Sequence, residues 1–235
     1  MLGRFLEFSL PTSDIRVSFD FYARLGLTEA ATGETWSHPY GVLTDSRISL
    51  GLHQHDALEP TLSFVKPELF KQLGSLEQAG VDFEYRHLGN DVFNEVGFRD
   101  PSHQAVRLLE ARTFSPVKRS DEFSRLGYFS EIALPCPDFE AGKAFWEALG
   151  FVAMEENEDA LPHLTCTSDT IDIGLYDPAA LKRATLRFEV DDIGRTREEL
   201  KGLGIANLPL PVPLRGRPAL MLAAPEGTPI LLTAP

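Results

Sequence analysis

Apolar and polar positions alternate along this chain at two periods, and the switches between them mark its elements. Arg4–Leu10 has the two-residue period of a strand. Asp14 then sits where a helix N-cap belongs, its carboxylate placed to accept from the first free N–H groups. Val17, Phe21 and Leu25 follow at i, i+4 and i+8, an apolar stripe on one helical face, and Gly26 supplies the left-handed residue that ends the helix. Strand-like runs come next at Trp36–Leu43 and Arg47–His53, split by the turn Thr44-Asp45-Ser46. At Thr61 the pattern restarts with a strand over Thr61–Val65 and a helix over Glu68–Ala79 that carries Leu69, Leu73 and Leu76 on one face. Gly80 stops that helix, and strands follow near Val81–His87, Asp91–Arg99 and Gln104–Ala111, with a tight turn at Asp100-Pro101-Ser102. Each stretch therefore reads βαβββ.

The second half repeats the first at an offset of 124. Leu10 matches Leu134, Pro11 matches Pro135, Asp14 matches Asp138, Tyr22 matches Trp146, and Leu25-Gly26 matches Leu149-Gly150. Thr61 matches Thr185, Phe64 matches Phe188, Gly80 matches Gly204, and Pro101 matches Pro225. A weaker offset of 54 links the units within each half. So many caps, stops and core types at one spacing mean duplication. The expected architecture is α+β, with four βαβββ units paired into two modules. The first module covers 1–114, with units 1–57 and 58–114; the second covers 126–235, with units 126–180 and 181–235. The polar segment 115–125, SPVKRSDEFSR, suits a surface linker.

Composition removes several function classes. With 43% hydrophobic and 24% charged residues, the chain is that of a soluble globular protein. No apolar run reaches the roughly 18 residues of a membrane span. MLGRFLEF enters a strand pattern with no charged leader before it, so a cytoplasmic protein is expected. A formal net charge of −13 disfavours nucleic acid, and Lys118–Arg119 is too short a basic run to reverse it. Cys136 and Cys166 form neither a disulfide framework nor a metal knuckle and read as small apolar fillers. Gly202-Leu203-Gly204 is a helix stop, not a nucleotide loop.

Leu10, Thr12, Asp14, Ser18, Phe21, Tyr22, Leu25 and Gly26 in the first half carry a family likeness. So do Leu134, Asp138, Phe145, Trp146, Leu149, Gly150, the run Phe188-Glu189-Val190-Asp191-Asp192 and the closing turn Pro225–Ile230 in the second. On these residues the chain resembles the vicinal oxygen chelate superfamily, which includes glyoxalase I, bleomycin-resistance proteins and extradiol dioxygenases. The resemblance implies cupped mixed sheets with helices on the outer face and four inward side chains per cup that hold a divalent metal. Carried onto this chain, those positions are Glu7, Gly51, Thr61 and Arg107 in one cup, and Glu131, Gly174, Thr185 and Leu231 in the other. Glycine and leucine offer no donor, threonine a weak one, and arginine repels a cation. Glu7 and Glu131 alone are possible ligands to a divalent metal. Former metal sites, with no metal or other cofactor, are therefore expected. Exchanging units between modules would bring Glu7 to Leu231 and Glu131 to Arg107, which restores neither site.

Glu7 and Arg107 in one cup are either a buried ion pair standing where the metal stood or a base and an anion-binding fork. Arg187 should meet Glu131 in the other cup on the same terms. His53 shares the face of Gly51 and is either a general base within reach of Glu7 or a strand-end histidine near solvent, as adjacent His55 suggests. Trp36, Tyr40 and His163 are expected to line the cup mouths, with Thr61 and Thr185 on the cup walls, whereas Tyr22 and Trp146 are expected to pack. The leading expectation is a protein that binds or sequesters a small organic molecule, as a monomer or homodimer. Its rival is an enzyme of the superfamily (a lyase, isomerase, hydrolase or dioxygenase), metal-independent through Glu7, Arg107 and His53 or with displaced metal ligands. A third possibility is a pair of cups filled by side chains.

Overall fold

The computed structural model describes residues 2–31, 36–45, 47–55, 58–111, 123–154 and 161–235. The linker expected over 115–125 lies mostly outside them, as do Ser46 of the expected turn and the 114/115 boundary. The first unit is β1 (Arg4–Pro11), α1 (Ile15–Arg24), β2 (Thr28–Ala30), β3 (Tyr40–Thr44) and β4 (Ser49–His53). The second is β5 (Thr61–Lys66), α2 (Leu69–Gln78), β6 (Phe83–His87), β7 (Glu95–Arg99) and β8 (Ala105–Glu110). The third is β9 (Tyr128–Pro135), α3 (Phe139–Ala148), β10 (Val152–Ala153), β11 (His163–Thr167) and β12 (Asp172–Tyr176). The fourth is β13 (Thr185–Glu189), α4 (Ile193–Gly202), β14 (Ala219–Ala223) and β15 (Pro229–Thr233).

Successive units share a sheet. The first sheet runs β2-β3-β4-β1-β5-β8-β7-β6 and the second β10-β11-β12-β9-β13-β15-β14. Because β1 pairs with β5, and β5 with β8, Glu7 and Arg107 belong to one sheet, so units are not exchanged between modules. Asp14 caps α1 by accepting from the N–H groups of Arg16 at 2.9 Å and Val17 at 3.3 Å. Gly26, Gly80, Gly150 and Gly204 all end their helices at positive φ, which a side chain would strain.

Two expectations are corrected. Val17 is not in the inward stripe of α1: it is 51% exposed, and Ser18, Phe21, Tyr22 and Leu25 face the core instead. Ser18 is tolerated there because its hydroxyl reaches Thr12 at 2.9 Å and Glu226 at 2.8 Å. The fourth unit also lacks one strand. Pro209, Pro211 and Pro213 have no N–H to give a ladder, so this segment makes only a single bridge at Leu208 and a 3-10 turn over Val212–Leu214.

One hydrophobic core takes side chains from both sheets, including Leu10 and Phe64 of one and Leu134 and Phe188 of the other. Tyr22 and Trp146 are fully buried, as packing residues should be, and both reach the opposite module. Tyr22 donates to Glu226 at 2.6 Å, while Trp146 lies beside Asp100 on the β7–β8 turn. Cys136 and Cys166 are both buried, and burial pushes the Cys166 thiol up to about 12, so it is inert packing at neutral pH. Among the described residues no helix is long and apolar enough to cross a membrane.

Asp100 makes this junction pH-sensitive. Burial pushes its carboxyl up to about 6 against the opposing pull of the Gln104 and Ser102 N–H groups, which donate to Oδ1. A raised carboxyl binds its proton more tightly in the folded state. Its stabilisation is therefore complete below the ordinary value of 3.8 and is lost as pH rises through about 6. Asp100→Asn should abolish that loss, gaining about 3 kcal/mol on wild type between pH 4 and pH 7, as read from urea unfolding at each pH. Parallel stability curves would refute the assignment.

Candidate functional site

The floor of the first cup is a rung of polar side chains laid down by strand register. Glu7 lies opposite Ser63, Ser63 opposite Arg107, and Arg107 opposite Gly97. Ser9, two residues along β1 on the same face, is paired with Gly51 and Thr61. Glu7 is buried and accepts from three groups. Ser9 donates to Oε1 at 2.7 Å, Tyr40 donates to Oε2, and His53 Nε2 lies 3.0 Å from Oε1. Burial works to raise the Glu7 pKa, but the hydrogen bond and charge of His53, with Ser9 and Tyr40, hold it below the usual carboxylate value.

His53 is itself fully buried, which overturns the reading of a solvent-side strand-end histidine. Its Nδ1 lies 2.9 Å from Nε2 of half-buried His38. Burial, reinforced by His53, His55 and Arg107, lowers the His38 pKa. The result is a carboxylate–imidazole–imidazole chain from the cup floor to its mouth.

Arg107 does not meet Glu7 directly. Its Nη2 donates to the hydroxyls of Ser9 and Ser63, both at 3.0 Å, and those hydroxyls are 2.8 Å apart. Ser9 therefore relays the positive charge to the carboxylate. The ion-pair reading is corrected accordingly: one strand, β5, separates the charges, and serines fill the gap. Trp36 covers the guanidinium, with the Arg107 carbon 4.8 Å from its ring centroid. The Tyr85 ring lies over Gly97, where a Cβ would strike it, and burial pushes the Tyr85 phenol up to about 12. Among the described residues, the buried cup nitrogens without a hydrogen-bond partner are Trp36 Nε1 here and Arg187 Nε in the second cup. Thr61 is not at the centre; its hydroxyl turns to the Glu59 carbonyl at 2.8 Å. Ser63 occupies the rung instead.

The second cup uses related parts to a different end. Glu131 accepts from Thr165 at 3.0 Å, from the Tyr176 hydroxyl and from Arg187 Nη1 at 3.0 Å. Arg187 stands opposite Glu131 on the adjacent strand, one strand closer than Arg107 stands to Glu7, so here the ion pair forms directly. Burial would lower the Arg187 pKa, but Tyr176 and Glu131 raise it above its ordinary value. His163 stacks on Tyr176 at 4.6 Å, donates through Nδ1 to the Leu161 carbonyl at 2.8 Å, and so turns Nε2 toward Arg187 at 3.4 Å. Tyr40 with His53 and His163 with Tyr176 are the same cross-strand pair with the two residue types exchanged. Thr185 bonds back to the Arg183 carbonyl and takes no part. Leu214 from the proline-rich segment packs in a cluster with Tyr176, Met221, Leu231, Ala133 and Leu161, and the Arg187 side chain stays 17% exposed.

In superfamily cups the metal would stand over Glu7 or Glu131. The donors present do not fit one. The Glu7 carboxylate lies over Gly51, Arg107 presents a cation, and both His53 nitrogens are engaged. Among the described residues, no three His, Cys, Asp or Glu side chains are grouped to hold an ion.

Sequence reasoning located Glu7, His53, Arg107, Trp36 and Tyr40, which the fold brings together, and Glu131, Arg187 and His163, which it also gathers. It missed Ser9, Ser63, Tyr85 and His38, and Thr165 and Tyr176 in the second cup. Ser9 and Ser63 were within reach of strand parity, each lying two residues from a candidate already named.

The sequence matches no family model and no curated protein. The fold has close counterparts among solved structures. A catechol 2,3-dioxygenase superposes with a TM-score of 0.62 at 18% identity, covering 99% of this chain and 90% of its own. A homoprotocatechuate 2,3-dioxygenase variant from B. fuscum, solved in complex with HPCA, gives 0.65 at 17% identity over 99% and 71%. The Mn(II)-bound glyoxalase from Novosphingobium aromaticivorans gives 0.63 at 15% identity over 99% and 82%.

Proposed function

We propose that this chain, which has the vicinal oxygen chelate fold, holds a small organic molecule with an anionic or strongly accepting oxygen in its first cup. The observation that carries this reading is the difference in charge pairing. The Arg107 guanidinium is buried and donates to the neutral hydroxyls of Ser9 and Ser63, and Trp36 Nε1 beside it is buried with no acceptor among the described residues. A buried charge with no carboxylate paired to it directly is costly unless something else neutralises it. The Arg187 guanidinium of the second cup is paired directly with Glu131, although its Nε lacks an acceptor, which favours a structural role there.

Tryptophan fluorescence tests the reading. The chain has two tryptophans, and Trp146 is buried in the other module, so a ligand in the first cup should perturb Trp36. Pyruvate, 2-oxobutyrate, phenylpyruvate, benzoate and phenylacetate form the panel. At least one should give a saturable change that Arg107→Met abolishes; no saturable change with any of them would overturn the proposal. An enzyme is the second reading, favoured by the Glu7–His53–His38 chain.

A further inference from the structure

We infer that the cavity between the two modules is a second ligand site, one that takes a free α-amino acid with an apolar side chain. Arg183 receives the carboxylate there and Glu226 the ammonium. This site goes beyond the first-cup reading and shares no polar residue with that cup.

The cavity measures about 320 Å³ and opens where the β7–β8 turn of the first module meets the β14–β15 turn of the second. That volume lies at the lower end of the roughly 300–1,000 Å³ of small-molecule sites. Gln104 lines it from one turn and Glu226 from the other, while Glu59 and Arg183 stand just ahead of β5 and β13. Between these polar groups, Pro11, Pro60, Ala105, Ala184 and Pro229 supply the apolar surface.

The duplication separates a structural charge from two that are left open. Glu59 and Arg183 are one position at the offset of 124, with the sign of the charge reversed. Glu59 accepts from Arg99 of β7. The position that matches Arg99 is Ala223, so the partner is gone in the second module. The Arg183 guanidinium makes no hydrogen bond or ion pair among the described residues. Its Nη1 lies 3.7 Å from where a Cβ on Gly227 would stand, so it reaches the turn that carries Glu226 without pairing with that carboxylate.

Glu226 stands where the first module has Ser102. Its two oxygens accept from Ser18 at 2.8 Å and from Tyr22 at 2.6 Å. Burial and the Glu226 charge raise the Tyr22 phenol well above its ordinary value, so it stays a donor. Both partners are neutral, and no cation pairs with this half-buried carboxylate among the described residues. An exposed arginine alone would be ordinary. Here an open guanidinium and an open carboxylate line one apolar cavity, opposite in sign and not bonded to each other. That is the complement of a zwitterion, since an anion or a cation alone would leave one of the two charges unmatched.

The walls are set without a ligand. Gln104 Nε2 donates to the carbonyls of Pro60 at 2.7 Å and Ala105 at 3.1 Å, which ties the first-module turn to the entry of β5. The Gly227 N–H donates to the Ala224 carbonyl and the Ala224 N–H to the Thr228 carbonyl, both at 2.9 Å, which closes the second turn. Fixed walls spare a ligand the cost of ordering them.

Calorimetric titration of the full chain with L-leucine, L-methionine and L-phenylalanine tests the inference. At least one should bind saturably at one site per chain. Its decarboxylated and deaminated analogues (for phenylalanine, phenethylamine and 3-phenylpropanoate) should displace it only at roughly tenfold higher concentration or more. Arg183→Ala and Glu226→Gln should each weaken the amino acid by a similar factor. Arg183 is exposed, and a glutamine still accepts from Ser18 and Tyr22, so both variants should keep the urea midpoint of the wild type. No saturable binding by any of the three, an analogue that displaces its parent at equal concentration, or an undiminished affinity in Arg183→Ala overturns the inference. Affinity lost in Arg107→Met but kept in Arg183→Ala would place the amino acid in the first cup and overturn it too.

Discussion

Replacing Gly51 by alanine should cost on the order of 3 kcal/mol or more, although it adds a single methyl group and the backbone there is not left-handed. A Cβ at Gly51 would overlap the carboxyl carbon and both oxygens of Glu7. That carboxylate cannot move aside cheaply, because Ser9, Tyr40 and His53 hold it and it is buried. Displacing it strands a charge in a site made for its present position. The second cup repeats the device: a Cβ at Gly174 would lie 2.5 Å from Glu131 Cδ and 2.5 Å from the Tyr176 ring. The glycines at these former ligand positions are therefore requirements of the glutamates. Urea unfolding of Gly51→Ala, Glu7→Ala and the double variant checks this. The double variant should be about 2 kcal/mol more stable than the summed single effects, since the methyl group harms nothing once the carboxylate is gone. Additive effects, or a Gly51→Ala cost below about 1 kcal/mol, would refute the account.

Those glycines also show what could be read from the chain and what could not. The caps at Asp14 and Asp138 and the stops at Gly26, Gly80, Gly150 and Gly204 depend on a few neighbouring residues, so they and the duplication are plain in the sequence. The inward placing of Glu7, His53, Arg107 and Arg187 follows from strand alternation. A glycine at 51 looks like a lost donor until the conformation of Glu7 is known, because its meaning lies in a side chain on another strand. Ser63 shares strand parity with Thr61, but Glu7 pairs with Ser63 and Ser9 with Thr61, so the polar rung runs two residues beyond the position that family likeness selects. His38 falls inside the strand expected over Trp36–Leu43, on the parity of Trp36 and Tyr40, but β3 begins only at Tyr40 and the segment before it brings His38 to His53. The missing strand of the fourth unit was written in three prolines, but the strength of the repeat argued the other way.

The largest divergence between the two cups should appear when each loses its arginine. Arg187→Met should destabilise the protein by about 3 kcal/mol, because it leaves Glu131 buried with only the Thr165 and Tyr176 hydroxyls for company. Arg107→Met should cost only about 1 kcal/mol, because its partners are neutral serines that still bond to each other, and Ser9 still donates to Glu7. The order reverses for function. Arg107→Met should lose the Trp36 response to small carboxylates, whereas Arg187→Met should keep it at temperatures where the fold survives. Urea midpoints and the Trp36 titration, measured on the same two variants, give both halves of the comparison. Equal stability losses would mean that Arg107 is as structural as Arg187. A Trp36 response lost in Arg187→Met but kept in Arg107→Met would move the ligand to the second cup. The physical ground for the expected order is one strand of separation. Adjacent strands let Arg187 neutralise Glu131, while the intervening serine strand leaves the Arg107 guanidinium with neutral hydroxyl partners only.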